Sequence, residues 1–253
     1  CGENIILLTN NDSAYETASS LIQKGIKIKS VIDIREKIDP KLLYEMKKNN
    51  VKVYLGSTIV NTFGYKRIKK VTIMNISKDG QKVVGSKTVL SCDALGVSGG
   101  WTPSVHLFTQ SGGKLKFREE DQVFIPNKYP SNQISLGSCN GDLTLDEIIS
   151  NVPKSLRDFL KIKTTDYENI DVSSLFENDK RNIWLLPSDK PLGKTKPFVD
   201  YQNDATAKDI KLALREGFRS IEHVKRYTTT GMGTDQGKLG NMHALGIIAD
   251  TAG

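Results

Sequence analysis

The amino-acid sequence predicts an α/β fold: a doubly wound domain with an antiparallel β-meander, followed by a small all-helical module. Three observations predict it. Short apolar runs alternate with amphipathic segments up to residue 55, the hydrophobic period becomes two from residue 58, and helical spacing returns after residue 196. Alternating strands and helices favour a parallel sheet covered by helices. A period of two favours antiparallel strands joined by tight turns.

The first 55 residues predict a β-α-β-α-β unit. Three apolar runs rich in β-branched residues predict buried strands, at residues 4–9, 28–34 and 51–55. Asp12 or Ser13 can cap the first intervening helix, and Pro40 can open the second at its first position. This order of elements is the core of a Rossmann-like half-domain.

The turn after the first predicted strand lacks the glycine pattern of a dinucleotide site. G-x-G-x-x-G lets the backbone pass close to a pyrophosphate, whereas residues 9–13 are T-N-N-D-S. Asp12 would repel a phosphate. Asp33 follows the second strand, where a ribose-binding acid would lie, but a capping or surface role is favoured without the glycine turn. We therefore expect a nucleotide-type fold without its nucleotide.

A second candidate ligand site lies further along the chain. Residues 94–97 and 133–136 are short apolar runs, predicted to be buried strands; the first breaks at Gly99-Gly100 and the second at Gly137. The second run leads into a helix-like segment at residues 143–149, whose first N–H groups would face an anion. A plain turn is the alternative, because a glycine after a strand more often marks only a turn.

This segment carries a resemblance to a known family. Residues 98–115 are S-G-G-W-T-P-S-V-H-L-F-T-Q-S-G-G-K-L, and L-G-S-C-N-G-D-L follows at residues 136–143. The sequence resembles the α subunit of heterotetrameric sarcosine oxidases and, more loosely, the class of two-dinucleotide-domain flavoproteins. The resemblance implies contacts to NAD at Gly137, Ser138, Leu143 and Leu145. Relatives usually carry small alanines where this chain has Ser138 and Cys139.

The resemblance also implies a domain organisation. Residues 1–91 would be an inserted NADH-type Rossmann-like domain with the meander, and residues 92–150 the C-terminal part of an outer dinucleotide-binding domain that begins upstream. Residues 151–195 would be a linker. Residues 196–253 would be a helical ferredoxin-like module, with a folate-binding domain that takes tetrahydrofolate further downstream.

The helical module carries its own resemblance. V-D-Y-Q-N-D-A-T, R-E-G-F-R-S-I-E-H-V-K-R-Y-T and G-M-G-T-D-Q-G-K are similar to the bacterioferritin-associated-ferredoxin-like module of amine-oxidising flavoenzymes. Four cysteines hold a two-iron two-sulfur cluster in that family. The matching positions here are Asp200, Gln202, Asp235 and Gly240. Because such a cluster needs thiolates, we expect a structural and docking role.

Composition limits the remaining function classes. The net charge is +7, and its densest basic cluster, on a predicted hairpin, is Lys66, Arg67, Lys69 and Lys70. A solvated Lys-rich edge strand is favoured over a nucleic-acid site, and no apolar run approaches the roughly 20 residues of a membrane span. Three dispersed cysteines suit a reducing, cytoplasmic compartment. His223 and His243 are isolated, so a surface or core role is favoured over metal binding.

The predicted activity follows from the resemblance. The family oxidatively demethylates sarcosine, with FAD and FMN elsewhere in the complex and with β, γ and δ subunits as partners. No acid, base or nucleophile constellation occurs in this chain, so no catalytic residue is assigned. The alternatives are a subunit of a related opine or amino-acid dehydrogenase and a non-catalytic scaffolding module.

Overall fold

The computed structural model of the chain describes residues 2–162 and 183–253. The strands are β1 (Asn4–Thr9), β2 (Lys27–Asp33), β3 (Lys52–Tyr54), β4 (Ser57–Gly64), β5 (Ile68–Ile76), β6 (Val83–Ser91), β7 (Ala94–Ser98), β8 (Lys114–Arg118), β9 (Val123–Lys128), β10 (Phe198–Asp200) and β11 (Ala205–Thr206). The α-helices are α1 (Ser13–Gln23), α2 (Pro40–Lys48), α3 (His106–Gln110), α4 (Leu145–Leu160), α5 (Ala207–Arg215), α6 (Ile221–Thr228) and α7 (Asn241–Ala252).

A parallel sheet of order β3-β2-β1-β7 forms the centre of the first part of the chain. Alternate residues of its strands face opposite sides, because side chains in a strand alternate with period two. Leu7 and Val31 belong to one core cluster together with the helix residues Tyr15 and Met46. The α/β prediction is confirmed, with both helices on this face of the sheet.

The predicted meander is also confirmed, and it covers the second face of the parallel sheet. Strands β4, β5 and β6 pair in antiparallel order. Ile6 and Ile32 of the parallel sheet pack with Val71 and Ile73 of β5 in a second core cluster. The result is three layers, with helices, parallel sheet and antiparallel sheet stacked in that order.

Strand β7 belongs to the first sheet. It pairs in parallel with β1, from Ile5 opposite Ala94 to Thr9 opposite Ser98. The boundary predicted after residue 91 therefore falls before the last strand of this sheet, and residues 94–98 are not in a separate sheet. The free edge of β1 offers backbone partners to the strand that returns from the meander, and period analysis does not detect such pairing.

Two local predictions between residues 133 and 195 are corrected. In the described ranges no strand forms over residues 133–136, which run into a single 3₁₀ turn, Gly137–Asn140. Helix α4 continues through Pro153 to Leu160, so residues 151–160 of the predicted linker are helical. Its start is fixed by a capping box between Thr144 and Glu147. Linker residues 163–182 lie outside the described residues.

The C-terminal module contains the three predicted helices and also the short antiparallel pair β10–β11, which an all-helical prediction lacks. The predicted capping box of α5 is confirmed, because the Thr206 N–H donates to Asp209 Oδ2 at 2.9 Å and the Asp209 N–H donates to Thr206 Oγ1 at 3.4 Å. Ile210, Val224 and Ile247 form the centre of its core. None of the helices in residues 2–162 and 183–253 is long and apolar enough to span a bilayer.

Trp184 packs against this core and lies directly over Gly246 of α7. A Cβ at Gly246 would overlap the indole of Trp184. We expect Gly246→Ala to lower the free energy of unfolding by about 1–2 kcal/mol, after the roughly 1 kcal/mol that alanine adds in helix propensity. Gly193→Ala, whose Cβ meets no atom within 4 Å, should change it by less than about 0.5 kcal/mol. Equal urea midpoints for the two variants would contradict this packing.

Candidate functional site

The parallel sheet has a switch point between β1 and β7, because the chain after β1 continues to one side of the sheet while β7 lies on the other. In open α/β sheets, ligands bind beyond the carboxyl ends of the strands at such a point. The loops that meet here are residues 10–13, after β1, and residues 99–101, after β7.

Side-chain amides fill this crevice. Asn10 Nδ2 donates to the Gly99 carbonyl at 3.1 Å, and Asn11 Nδ2 donates to Ser98 Oγ at 3.0 Å. Ser13 Oγ donates to Asn11 Oδ1 at 2.6 Å. These bonds join the two loops where a glycine turn would leave room for a pyrophosphate. The expectation of a turn without a phosphate cradle agrees with this geometry.

The opening is further covered by Trp101. Its indole N–H donates to Ser13 Oγ at 3.0 Å, and the residue is 69% exposed. Gly100 adopts φ +106, and a Cβ there would lie 3.3 Å from Asn10 Nδ2. The missing side chain of Gly100 thus serves the packing of Asn10 in this structure.

Asp33 is fully buried in an ion network. Its Oδ2 accepts bonds from Arg35 Nη2 at 2.8 Å and from the Tyr15 hydroxyl at 2.9 Å, and Oδ1 accepts one from the Arg35 backbone N–H at 2.9 Å. Arg35 Nη1 also donates to Asp12 Oδ1 at 2.8 Å. The predicted surface position of Asp33 is wrong, and its bond to the Arg35 N–H lies in the loop after β2, whereas Asp39 caps α2. Both oxygens are occupied, which leaves no acceptor open to a ribose.

The network shifts the proton affinities of its members. Burial acts to lower the pKa of Arg35, but bonds and charge from Asp33 and Asp12 outweigh it and raise that pKa. Burial, with the Asp33 charge, also raises the pKa of Tyr15 well above its ordinary value. Arg35 therefore remains a cation and Tyr15 a neutral donor at every physiological pH.

The four residues predicted to contact NAD lie around the 3₁₀ turn and the start of α4. Gly137 is buried with φ +64, and Ser138 is exposed. Leu143 and Leu145 are 39% and 70% exposed. The turn packs on α4, since a Cβ at Gly137 would contact Ile148 at 3.8 Å. The structure thus brings the predicted residues into one neighbourhood.

The start of α4 is closed by its own cap. The N–H groups of Leu143 and Thr144 donate to Glu147 Oε2 at 2.8 and 2.9 Å. Asp146 and Glu147 add negative charge to this first turn. The predicted open anion site is therefore corrected: at residues 143 and 144 the amides already have a carboxylate partner.

A shallow groove runs beside the 3₁₀ turn. Its wall includes the aromatic rings of Tyr129 and Phe159 and the polar side chains of Asn140 and Ser155. The Tyr129 hydroxyl donates to Asn140 Oδ1 at 2.7 Å. Aromatic and amide groups in one groove suit a planar ligand with polar edges, and Asn140 connects the groove to the turn that begins at Gly137.

Three of the four module positions that match cluster cysteines, Asp200, Gln202 and Asp235, take part in one set of hydrogen bonds. Asp200 accepts from the N–H groups of Gln202 at 2.8 Å, Asn203 at 3.0 Å and Gly231 at 2.7 Å. Gln202 Oε1 accepts from the Asp235 N–H at 3.4 Å. These bonds tie residues 200–203 to the loop at residues 229–240. Burial would raise the pKa of Asp200, but the backbone donors outweigh it and hold that pKa below its ordinary value.

His243 has a packing role. Its ring lies edge-on to Trp184, with 6.2 Å between centroids, and a Cβ at Gly99 would lie 3.8 Å from Nε2. Burial lowers the pKa of the imidazole. The core alternative predicted for His243 agrees with these contacts, which also join the module to the end of β7.

Sequence analysis did not identify Asn10, Asn11 and Arg35, which close the switch-point crevice. The sequence does contain a signal for Arg35: it lies two residues after Asp33, and an acid and an arginine at the end of one strand can form an ion pair. No local pattern marked the amides, because their partners Ser98 and Gly99, at the end of β7, are 87 and 89 residues away.

Removing Arg35 tests the buried network. Arg35→Met leaves the Asp33 charge buried without its cation and should lower the free energy of unfolding by about 3–5 kcal/mol. Asp33→Asn combined with Arg35→Met should recover at least about 1 kcal/mol in a double-mutant cycle. Asp12→Asn, at the partly exposed end, should cost less than about 1 kcal/mol. Similar small losses for Arg35→Met and Asp12→Asn in urea unfolding would refute the assignment.

Asp200 predicts a pH-dependent stability. Asp200→Asn replaces an acceptor of three N–H groups and should cost about 1–3 kcal/mol at pH 7. Because the folded pKa is depressed, the contribution is complete above the unfolded pKa of about 3.9 and is lost as pH falls through the folded pKa. The difference between wild type and Asp200→Asn should therefore shrink below about pH 4. The exposed Asp250→Asn is the control, and a pH-independent difference would oppose the prediction.

Comparison with known proteins relates the chain to sarcosine oxidases. A family model described as the sarcosine oxidase A3 domain matches residues 194–253. The whole chain is 31% identical to the sarcosine oxidase subunit alpha of Corynebacterium sp. (strain U-96) and covers 26% of that relative. It is 28% identical to the same subunit of Rhizobium meliloti (strain 1021), again over 100% of this chain and over 24% of the relative.

A solved structure extends the comparison to the fold. L-proline dehydrogenase from P. horikoshii matches 99% of this chain and 45% of its own, with a TM-score of 0.50 and 18% identity. That likeness shows a shared fold. The chain spans about a quarter of the length of the curated relatives it matches. Residues 194–253 match the sarcosine oxidase A3 domain family, and over its whole length the chain is similar to sarcosine oxidase α subunits.

Proposed function

We propose that this chain is a portion of the α subunit of a sarcosine oxidase that oxidatively demethylates sarcosine in the cytoplasm. The observation that carries the proposal is the 31% identity to a sarcosine oxidase subunit alpha over the whole chain. FAD and FMN would be held elsewhere in the complex, and tetrahydrofolate by a further domain. The β, γ and δ subunits would be its partners, with the flavin-bearing β subunit docked against this chain.

The chain's own contribution is to hold NAD at the turn that begins at Gly137. Gly137 and Ser138 would place backbone N–H groups beside the pyrophosphate, and Leu143 and Leu145 would cover an apolar side of the nucleotide. The groove with Tyr129 and Asn140 supports this location, because it opens beside the same turn. NAD would supply hydride chemistry when bound. The residues of this chain bind and orient it, and none is assigned a proton transfer.

The division into domains belongs to the same proposal. Residues 1–91 with β7 would form the inserted Rossmann-like domain, and the segment that continues to residue 150 would complete an outer dinucleotide-binding domain. The helical module at residues 196–253 would serve as a docking element. Its loops are held by Asp200 and Gln202 through hydrogen bonds, which supports a structural role without a metal cluster.

A scaffolding function is the second candidate, and specific contacts favour it. Asn10 and Asn11 fill the switch-point crevice. The Arg35 guanidinium binds the Asp33 carboxylate, and the Glu147 carboxylate accepts from the amides at the start of α4. Each contact uses donors or acceptors that a dinucleotide would need. On this alternative, the chain positions partner subunits and holds no nucleotide.

An NAD titration of the full-length subunit separates the two functions. Ser138→Glu places a carboxylate beside the proposed pyrophosphate site and should weaken NAD binding at least about tenfold, measured by calorimetry. Ser150→Glu adds the same charge at an exposed position of α4 and should bind NAD as the wild type does. Absence of saturable binding to the wild type would support the scaffold. Wild-type affinity in Ser138→Glu would place NAD elsewhere.

A further inference from the structure

The turn between β4 and β5 carries a basic and aromatic surface that neither core needs. We call residues 63–70 the basic hairpin. Tyr65 at its tip is 96% exposed, and Lys66 and Arg67 beside it are exposed as well. Gly64 makes the tight turn possible, because a Cβ there would overlap the Arg67 carbonyl. The tip therefore projects into solvent.

An apolar groove lies directly behind the tip. Phe63 is opposite Lys70 across the β4–β5 ladder. Phe63, Val89 and Lys70 line the groove together with Gly64 and Lys69. Phe63 and Val89 are 47% and 57% exposed. The groove thus offers aromatic and aliphatic surface with ammonium groups at its sides.

The cations of the basic hairpin have no acidic partner in the described part of the chain. The ion pairs among residues 2–162 and 183–253 involve other side chains, such as Arg35 with Asp33 and Lys87 with Asp189. Lys66, Arg67, Lys69 and Lys70 thus lie within five residues with their charges uncompensated there. Such a field attracts an anionic surface, and an exposed aromatic next to arginine is typical of interface anchors.

We propose that the basic hairpin is the docking site for an acidic, partly apolar face of another subunit of the same enzyme. An apolar side chain of that subunit would enter the groove at Phe63 and Val89, and its carboxylates would meet Lys66 and Arg67. This choice of partner rests on the proposed function, in which the chain is one of several subunits. A nucleic-acid duplex fits this surface less well. A protein that binds a duplex tightly can make about six to ten phosphate contacts, whereas the basic hairpin has four cations, and a duplex would not fill the apolar groove.

Assembly of the enzyme tests this surface. The full-length subunit is co-expressed with its partner subunits, and the assembled complex is quantified by size-exclusion chromatography from about 0.05 to about 0.5 M NaCl. K66E/R67E should weaken assembly at least about tenfold at low salt, and Y65A should weaken it several-fold. The wild type should lose assembly as salt rises, and K66E/R67E should be far less sensitive.

The matched control is K114E/K116E, which makes the same change of charge at exposed positions of strand β8 and should assemble normally. Thermal midpoints within about 2 °C of wild type show that the variants remain folded. Normal assembly of K66E/R67E, or an equal loss in K114E/K116E, overturns the docking site alone. If the unmodified subunit does not assemble at all, the proposed function fails with it. A labelled DNA duplex or phosphatidylserine vesicles bound by wild type and not by K66E/R67E, with assembly intact, would also overturn the proposal.

Discussion

The buried carboxylate of Asp33 is the constraint on which the carboxyl end of the parallel sheet depends. A charge with no exposed surface must be paired and hydrogen-bonded, because the loss of hydration costs several kcal/mol. Arg35 and Tyr15 satisfy it, and Arg35 reaches onward to Asp12 at the start of α1. One guanidinium therefore ties the end of β2 to the turn after β1.

That tie also determines what the fold can bind. In a doubly wound sheet the turn after β1 and the end of β2 are the places that meet a dinucleotide. Here a permanent cation and two carboxylates occupy them, and asparagine amides close the crevice toward β7. The two cores do not depend on the crevice, because Val31 packs on the helices and Ile32 packs on the meander.

The module shows the same principle at a second place. Asp200 gathers N–H groups from two loops, and Gln202 connects the same loops through Thr234. A carboxylate that accepts several backbone N–H bonds is stable in its ionised form. Loops that would otherwise have unpaired donors are thus held by side chains of the chain itself.

Local pattern was sufficient for helices and for strands that pair with the next strand along the chain. The period of the apolar residues predicted β1, α1, α2 and the meander, and the spacing of Thr206 and Asp209 predicted the capping box of α5. The pairing of β7 with β1 was not predictable in this way, because its partner lies about 90 residues away. Residues 133–136 show the reverse case: an apolar run forms a strand only where another strand accepts its hydrogen bonds.

The start of α4 shows that a sequence can locate a turn and a helix start correctly and still not reveal that the helix amides are already hydrogen-bonded. Pattern placed a turn and a helix start at residues 137–145, and both are present. T-L-D-E at residues 144–147 is a capping-box sequence, and its Glu147 accepts from the N–H groups of Leu143 and Thr144. Such a cap contributes about 0.5–2 kcal/mol. A pyrophosphate that displaces Glu147 would therefore bind about 2- to 30-fold more weakly than at an open helix start. Nucleotide binding at this turn thus remains compatible with the cap, provided that contacts from the groove at Tyr129 and Asn140 offset this difference.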